Sequence, residues 1–179
     1  MGASKIIIIP DLHGREFWRG AVTVLGEDTH VVFLCDYMDP YEDDWIFWSD
    51  AFQMAAEFNI GEKRYLFSHV GIHPDWARKH STLFGPLEKV TAETFNQLMF
   101  TPEFVDALAE VSWRRGGNSP VGSMIWTDIY ENELSAPIAQ DVIQIYGHTR
   151  LPEGKQKELN GVICLDCQRV FTLTEEGIV

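Results

Sequence analysis

Four apolar runs recur along the chain, and each ends on side chains capable of acid, base or metal chemistry. The first, Ile6-Ile7-Ile8-Ile9, shows no alternation, the pattern of a strand covered on both faces. It runs into Pro10-Asp11-Leu12-His13-Gly14. Val31-Val32-Phe33-Leu34 leads into Cys35-Asp36-Tyr37-Met38-Asp39-Pro40, and Arg64-Tyr65-Leu66-Phe67 into Ser68-His69-Val70-Gly71. Val142-Ile143-Gln144-Ile145-Tyr146 leads into Gly147-His148-Thr149. All four are predicted strands, with Asp or His at their carboxyl ends, where open α/β sheets bind ligands. Residues i and i+2 of an extended segment point the same way, so Asp11 and His13 can converge on one ion. Gly14 lets the backbone turn into the amphipathic stretch Arg15 to Leu25.

Other segments read as helical. Trp45 to Phe58 is predicted as a single helix. Pro74 suits the first turn of a short helix through Lys79. Thr101-Pro102-Glu103 reads as an N-cap, a first-turn proline and a dipole-favoured acid before Phe104 to Trp113. Leu98, Met99, Phe104, Leu108 and Val111 are assigned to packing, in helices that form a cap beside the strand ends. Val162 to Phe171 reads as paired strands around a turn and contains Cys164-Leu165-Asp166-Cys167. Residues three apart on a strand face opposite ways, so these cysteines read as core or turn residues, with no second C-x-x-C to complete a zinc site.

At 179 residues and 45% hydrophobic content, the chain suits one folded domain spanning 1–179. Its net charge of −13 opposes a nonspecific grip on nucleic acid or an anionic membrane. The acidic runs Glu42-Asp43-Asp44, Glu131 to Glu133 and Glu175-Glu176 are expected to be solvated faces. Met1 to Ile9 lacks the length and flanks of a signal peptide, and no apolar run approaches the ~20 residues of a membrane span. With an odd number of cysteines, reduced thiols and a cytoplasmic location are expected.

Taken in order, the motifs at the strand ends resemble those of the calcineurin-like metallophosphoesterase superfamily, particularly the branch of serine/threonine protein phosphatases and diadenosine tetraphosphatase-like enzymes. The resemblance runs almost end to end. Asp11 and His13 are similar to the family's first motif, Asp36 and Asp39 to the second, Ser68-His69-Val70-Gly71 to its SHAG type motif, and Gly147-His148-Thr149 to its GHT motif. It implies an α/β fold, a metallophosphoesterase-like β-sandwich flanked by helices, with Val142 to Tyr146, Val162 to Leu165 and Val170 to Leu173 in the second sheet. It also implies two divalent metal ions, of which Mn, Fe and Zn all suit carboxylate and imidazole ligands. Asp11, His13 and Asp36 would hold the first, and Asp36 would bridge to a second held by His69 and His148. The implied reaction is hydrolysis of a phosphate ester, on a phosphoprotein or a small molecule, by a metal-bridging hydroxide. Two such cations would contribute about +4 locally, reversing the field of the acidic surface.

The chain departs from the family pattern at one motif. Gly-Asn-His, whose Asn binds the second metal and whose His serves in catalysis, occurs nowhere in the sequence. Ser68 follows Asp39 by only 29 positions, and the predicted helix leaves no room for the missing strand, so a truncated first sheet is expected. A natural deletion, an engineered change and an omitted segment are all compatible with this interval. Asp39, which in the protein phosphatases orients the absent histidine, would have lost its partner. Reduced activity follows, and a catalytically inactive binding or regulatory protein is the alternative.

Four further residues carry weighed roles. His73, four positions past His69, could replace the missing histidine, against a place at the start of the helix beginning at Pro74. Arg115, in the glycine-rich loop Arg114 to Gly122, could clamp phosphate oxygens, since Arg115-Gly116 is similar to a phosphate-binding Arg-Gly element of the protein phosphatases; a plain surface loop is the competing reading. His30, before a strand, is expected to be exposed, and His80 to close a helix, where a cation favours the dipole.

Overall fold

The structure is a computed structural model and describes residues 4–12, 15–23, 25–34, 53–133, 138–152 and 154–179. His13, Asp36 and Asp39 lie outside the described residues, as do Gly14, Cys35, the acidic run 42–44 and most of the predicted helix 45–58.

The fold is mixed α/β, built on two mixed sheets. The first has the order β2-β1-β8-β9, formed by β1 (Lys5–Ile9), β2 (Thr29–Phe33), β8 (Phe171–Thr174) and β9 (Gly177–Ile178). β1 pairs in parallel with β2 and antiparallel with β8. The second sheet has the order β3-β4-β5-β7-β6, formed by β3 (Ala55–Ile60), β4 (Lys63–Ser68), β5 (Val142–Tyr146), β6 (Lys157–Leu159) and β7 (Val162–Cys164). Its centre, β4-β5-β7, is parallel, and antiparallel strands close both edges.

The unbroken isoleucine run follows from the position of β1 between two apolar layers. Ile6 and Ile8, with Phe171 and Leu173, pack against Tyr65, Phe67, Ile145 and Ile163 of the second sheet. Ile7 and Ile9 face the other way and join Leu12, Phe17, Trp18 and Phe33. The outer face of the second sheet is covered in turn, where Leu66 and Val142 meet Trp76, Phe84, Phe95 and Phe104. These aromatics come from α1 (Pro74–Lys79), α2 (Ser81–Phe84), α3 (Ala92–Leu98) and α4 (Pro102–Leu108), and α5 (Ile129–Glu133) precedes β5. No helix among the described residues is long and apolar enough to cross a membrane.

The helix from Pro74 to Lys79 forms with the expected bounds, its N-terminus capped by the side chain of His73 and its C-terminus closed at His80. α4 begins at Pro102 as expected but ends at Leu108, and Trp113–Arg115 forms a separate 3₁₀ turn. Among the described residues of the Arg15 to Leu25 stretch, only Arg19–Val22 coils, also as 3₁₀.

Four expectations are corrected. Ala55 to Phe58, predicted as the end of a helix, belongs to β3, because the two-residue turn Gly61-Glu62, with Gly61 at φ 57°, folds it back onto β4. Phe171–Thr174 joins the first sheet, not the second, since its residues pair with Ile6 to Ile8; the chain from Cys164 to Phe171 crosses between sheets, and the antiparallel partner of β7 is β6. His30 lies within β2 and is partly buried, its ring 4.9 Å from that of Phe58. Glu131, expected in a solvated run, is only 4% exposed.

Candidate functional site

Parallel pairing of β4 with β5, and of β1 with β2, brings the carboxyl ends of each pair to one side. The two ends meet. Asp11, two residues beyond β1, is 1% exposed, and its Oδ2 accepts the backbone N–H of His148 at 2.7 Å. The Gly147 N–H donates to the His69 carbonyl at 3.0 Å, which holds the two histidine loops side by side, with ring centroids 4.6 Å apart and nearly perpendicular. From the first sheet, the Leu34 carbonyl lies 3.2 Å from Nδ1 of His69. A carbonyl only accepts, so in the neutral ring Nδ1 carries the proton and Nε2 the lone pair.

Glycine at 147 is what allows this approach. A β-carbon there would stand 2.3 Å from Oδ1 of Asp11, far inside van der Waals contact, so any side chain would push the carboxylate out of its place. His148 itself sits at φ 64°, in the left-handed region that non-glycine residues enter uncommonly and that places its ring beside His69. Beneath the loop, the Cys164 thiol faces the carbonyls of Gly147 and Thr149 at 3.5 and 3.6 Å. Burial pushes that thiol up to about 12, and both Cys164 and Cys167 are free and buried.

The loop after His69 is fixed by a residue that periodicity alone does not single out. Gln144, inside β5 and buried, accepts the Ile72 N–H at 2.7 Å and donates to the Ile72 carbonyl at 3.3 Å. A lone amide in an otherwise apolar strand is the signal, because a buried polar group needs partners. His73 follows as the N-cap of α1, its Nδ1 accepting the Asp75 N–H at 3.1 Å. Its ring also engages the Glu131 backbone, and burial holds its pKa below the ordinary histidine value against the raising influence of Asp75.

Arg115 reaches the same region. Its guanidinium donates to Thr149 Oγ1 at 3.0 Å and pairs with Asp128 Oδ2 at 3.1 Å, so it is docked on the residue that follows His148. Trp126 stands on another side of His148, edge-on at 6.5 Å and 38% exposed. Asp11, His69, His148 and Arg115 are therefore gathered at one place, with His73 at the start of the helix beyond it.

The donor chemistry of Asp11, His69 and His148, one buried carboxylate and two imidazoles, suits a borderline divalent cation. Among the described residues, no group of three His, Cys, Asp or Glu side chains is disposed to hold a metal ion; His13 and Asp36, the other two expected ligands, lie outside them. Comparison with family models, with curated proteins and with solved structures finds no match for this chain.

Proposed function

We propose that the chain is a metal-dependent phosphoesterase whose site lies where the ends of β1, β2, β4 and β5 meet. The observation that carries the proposal is the convergence of Asp11, His69 and His148 from two different sheets, joined by the Asp11 to His148 N–H bond. In this reading the fold is a metallophosphoesterase-like sandwich, Asp11, His13 and Asp36 hold one cation, and Asp36, His69 and His148 hold a second. When bound, such cations lower the pKa of water and stabilise the attacking and leaving oxygens of an in-line displacement at phosphorus.

The protein's own groups orient that chemistry. The Leu34 carbonyl fixes the His69 tautomer with its lone pair on Nε2. The His148 N–H holds one Asp11 oxygen, and Arg115, steadied by Asp128, presents positive charge beside Thr149 for a phosphate oxygen.

One observation favours the second reading, a noncatalytic binding or regulatory protein of the same fold. β3 runs antiparallel to β4, with Ile60 opposite Lys63 and Ala55 opposite Ser68, so the carboxyl end of β3 lies at the opposite end of the sheet from His69. That end cannot supply the missing Asn and His. A leaving alkoxide must then take its proton elsewhere, and general acid help is typically worth ~10²–10⁴-fold. Turnover of substrates with poor leaving groups is reduced accordingly, and nitrophenolate is affected least.

Metal counting and turnover test the proposal together. The expected outcome is two equivalents of Mn²⁺ bound per chain and Mn²⁺-stimulated hydrolysis of nitrophenyl phosphate, abolished by Asp36→Asn. Protein that takes up no metal and shows no turnover after Mn²⁺ addition refutes the enzyme reading in favour of the binding module.

A further inference from the structure

Glu131 is a buried acid that joins two of the segments that position Arg115. Its carboxylate receives three donors: the Ser112 hydroxyl in a short hydrogen bond, the Gly122 N–H at 2.7 Å and the Asp128 N–H at 3.4 Å. Two of these donors act on Arg115. The Ser112 carbonyl accepts the Arg115 N–H at 3.0 Å and the Gly117 N–H at 2.8 Å, so Ser112 anchors the turn that carries Arg115. Asp128 forms the ion pair with the guanidinium. Gly122 lies where a β-carbon would stand 2.6 Å from the Trp126 backbone, so the chain between these two anchors is folded tightly on itself.

We infer that Glu131 is a positioning residue for anion binding: it ties the turn bearing the Arg115 backbone to the acid steering the Arg115 side chain, and so holds the guanidinium beside Thr149 and His148 for a phosphate oxygen. The inference rests on the phosphoesterase reading and extends it to a residue eighteen positions beyond Trp113, in a different element. Removal of the carboxylate frees Ser112 and Asp128 together, and buried donors left without acceptors draw the loop apart. Glutamine keeps one acceptor for the Gly122 N–H and offers an amide donor to the Ser112 hydroxyl, which can accept, but the same amide nitrogen cannot accept the Asp128 N–H, so it restores the tie to Ser112 and not the one to Asp128.

A double-mutant cycle tests this, with binding of inorganic phosphate to the Mn²⁺-treated full chain as the readout. Glu131→Ala weakens phosphate binding about tenfold, a coupling of ordinary size for residues in one network. Glu131→Gln recovers part of that loss, and in an Arg115→Ala background Glu131→Ala causes no further loss. Should Glu131→Ala fail to fold, Ser112→Ala replaces it in the same cycle, with a smaller loss that again disappears when Arg115 is absent. Equal losses in both backgrounds, or phosphate binding indifferent to Arg115, overturn the inference. Those outcomes leave the hydrolase reading standing if the wild type still turns over nitrophenyl phosphate. Coupled phosphate binding without any turnover does the reverse.

Discussion

His73 caps α1 through Nδ1, and the ring must be neutral for that nitrogen to accept the Asp75 N–H. Burial also disfavours the imidazolium and sets the folded-state pKa below the ordinary value. The unfolded chain therefore binds a proton first as pH falls. The contribution of neutral His73 is fully present above the unfolded pKa, about 6.5, and is lost as pH falls from there toward the folded pKa. His73→Asn keeps a good capping oxygen and removes the titration. Urea unfolding at pH 7.5 and pH 5.0 is expected to show a smaller pH-dependent drop in stability for the variant than for the wild type. The His73 sequence position, before a first-turn proline, already signals a cap. Glu131 shows the opposite case: a Glu in an acidic run reads as solvated, and only its three donors, contributed from residues 112, 122 and 128, reveal it as buried.

Between elements, the clearest lesson is β3. Ala55, Ala56 and Glu57 are good helix formers, and their local preference reads as the end of a helix. Pairing with β4 overrides it, and α3 reinforces the strand: Asn96 accepts the Ala55 N–H at 3.1 Å and donates to the Ala55 carbonyl at 2.9 Å. This amide stands in for a strand neighbour at the start of β3. Asn96→Ala leaves both backbone groups unsatisfied and is expected to cost about 2 kcal/mol, measurable as a lower urea midpoint with an unchanged m-value. The four strand-end motifs were legible because each apolar run is long enough to specify a strand by itself. By contrast, β6 was not legible: Lys157-Glu158-Leu159 has little apolar content, and it is a strand because β7 offers it an edge. Allocation of β8 to the first sheet likewise depends on a long-range partner, Ile6 to Ile8, that no local pattern names.

Across the whole molecule, a charge of −13 opposes the approach of any phosphate dianion, whatever the local field at the site. Screening shortens the reach of that repulsion, from a Debye length of ~30 Å at 0.01 M salt to ~8 Å at 0.15 M. If the chain hydrolyses nitrophenyl phosphate, kcat/KM is expected to rise severalfold over this range, and a fall would mean that the site's positive charge dominates the encounter. Composition made this legible at once. The gathering of Arg115 beside Thr149 was only partly so, because its two partners are 13 and 34 positions away in sequence. The join between the sheets was legible only through the resemblance, which gathers Asp11, His69 and His148 at one place, and the bonds that make it were not. Asp11 and Leu34 belong to the first layer, His148 and His69 to the second, and the bonds between them are stitches across the seam at the mouth of the proposed site. A ligand that bound there would grip both layers at once, and hydrogen exchange is then expected to slow across the whole seam, down to amides in β1 and β5 that it never touches.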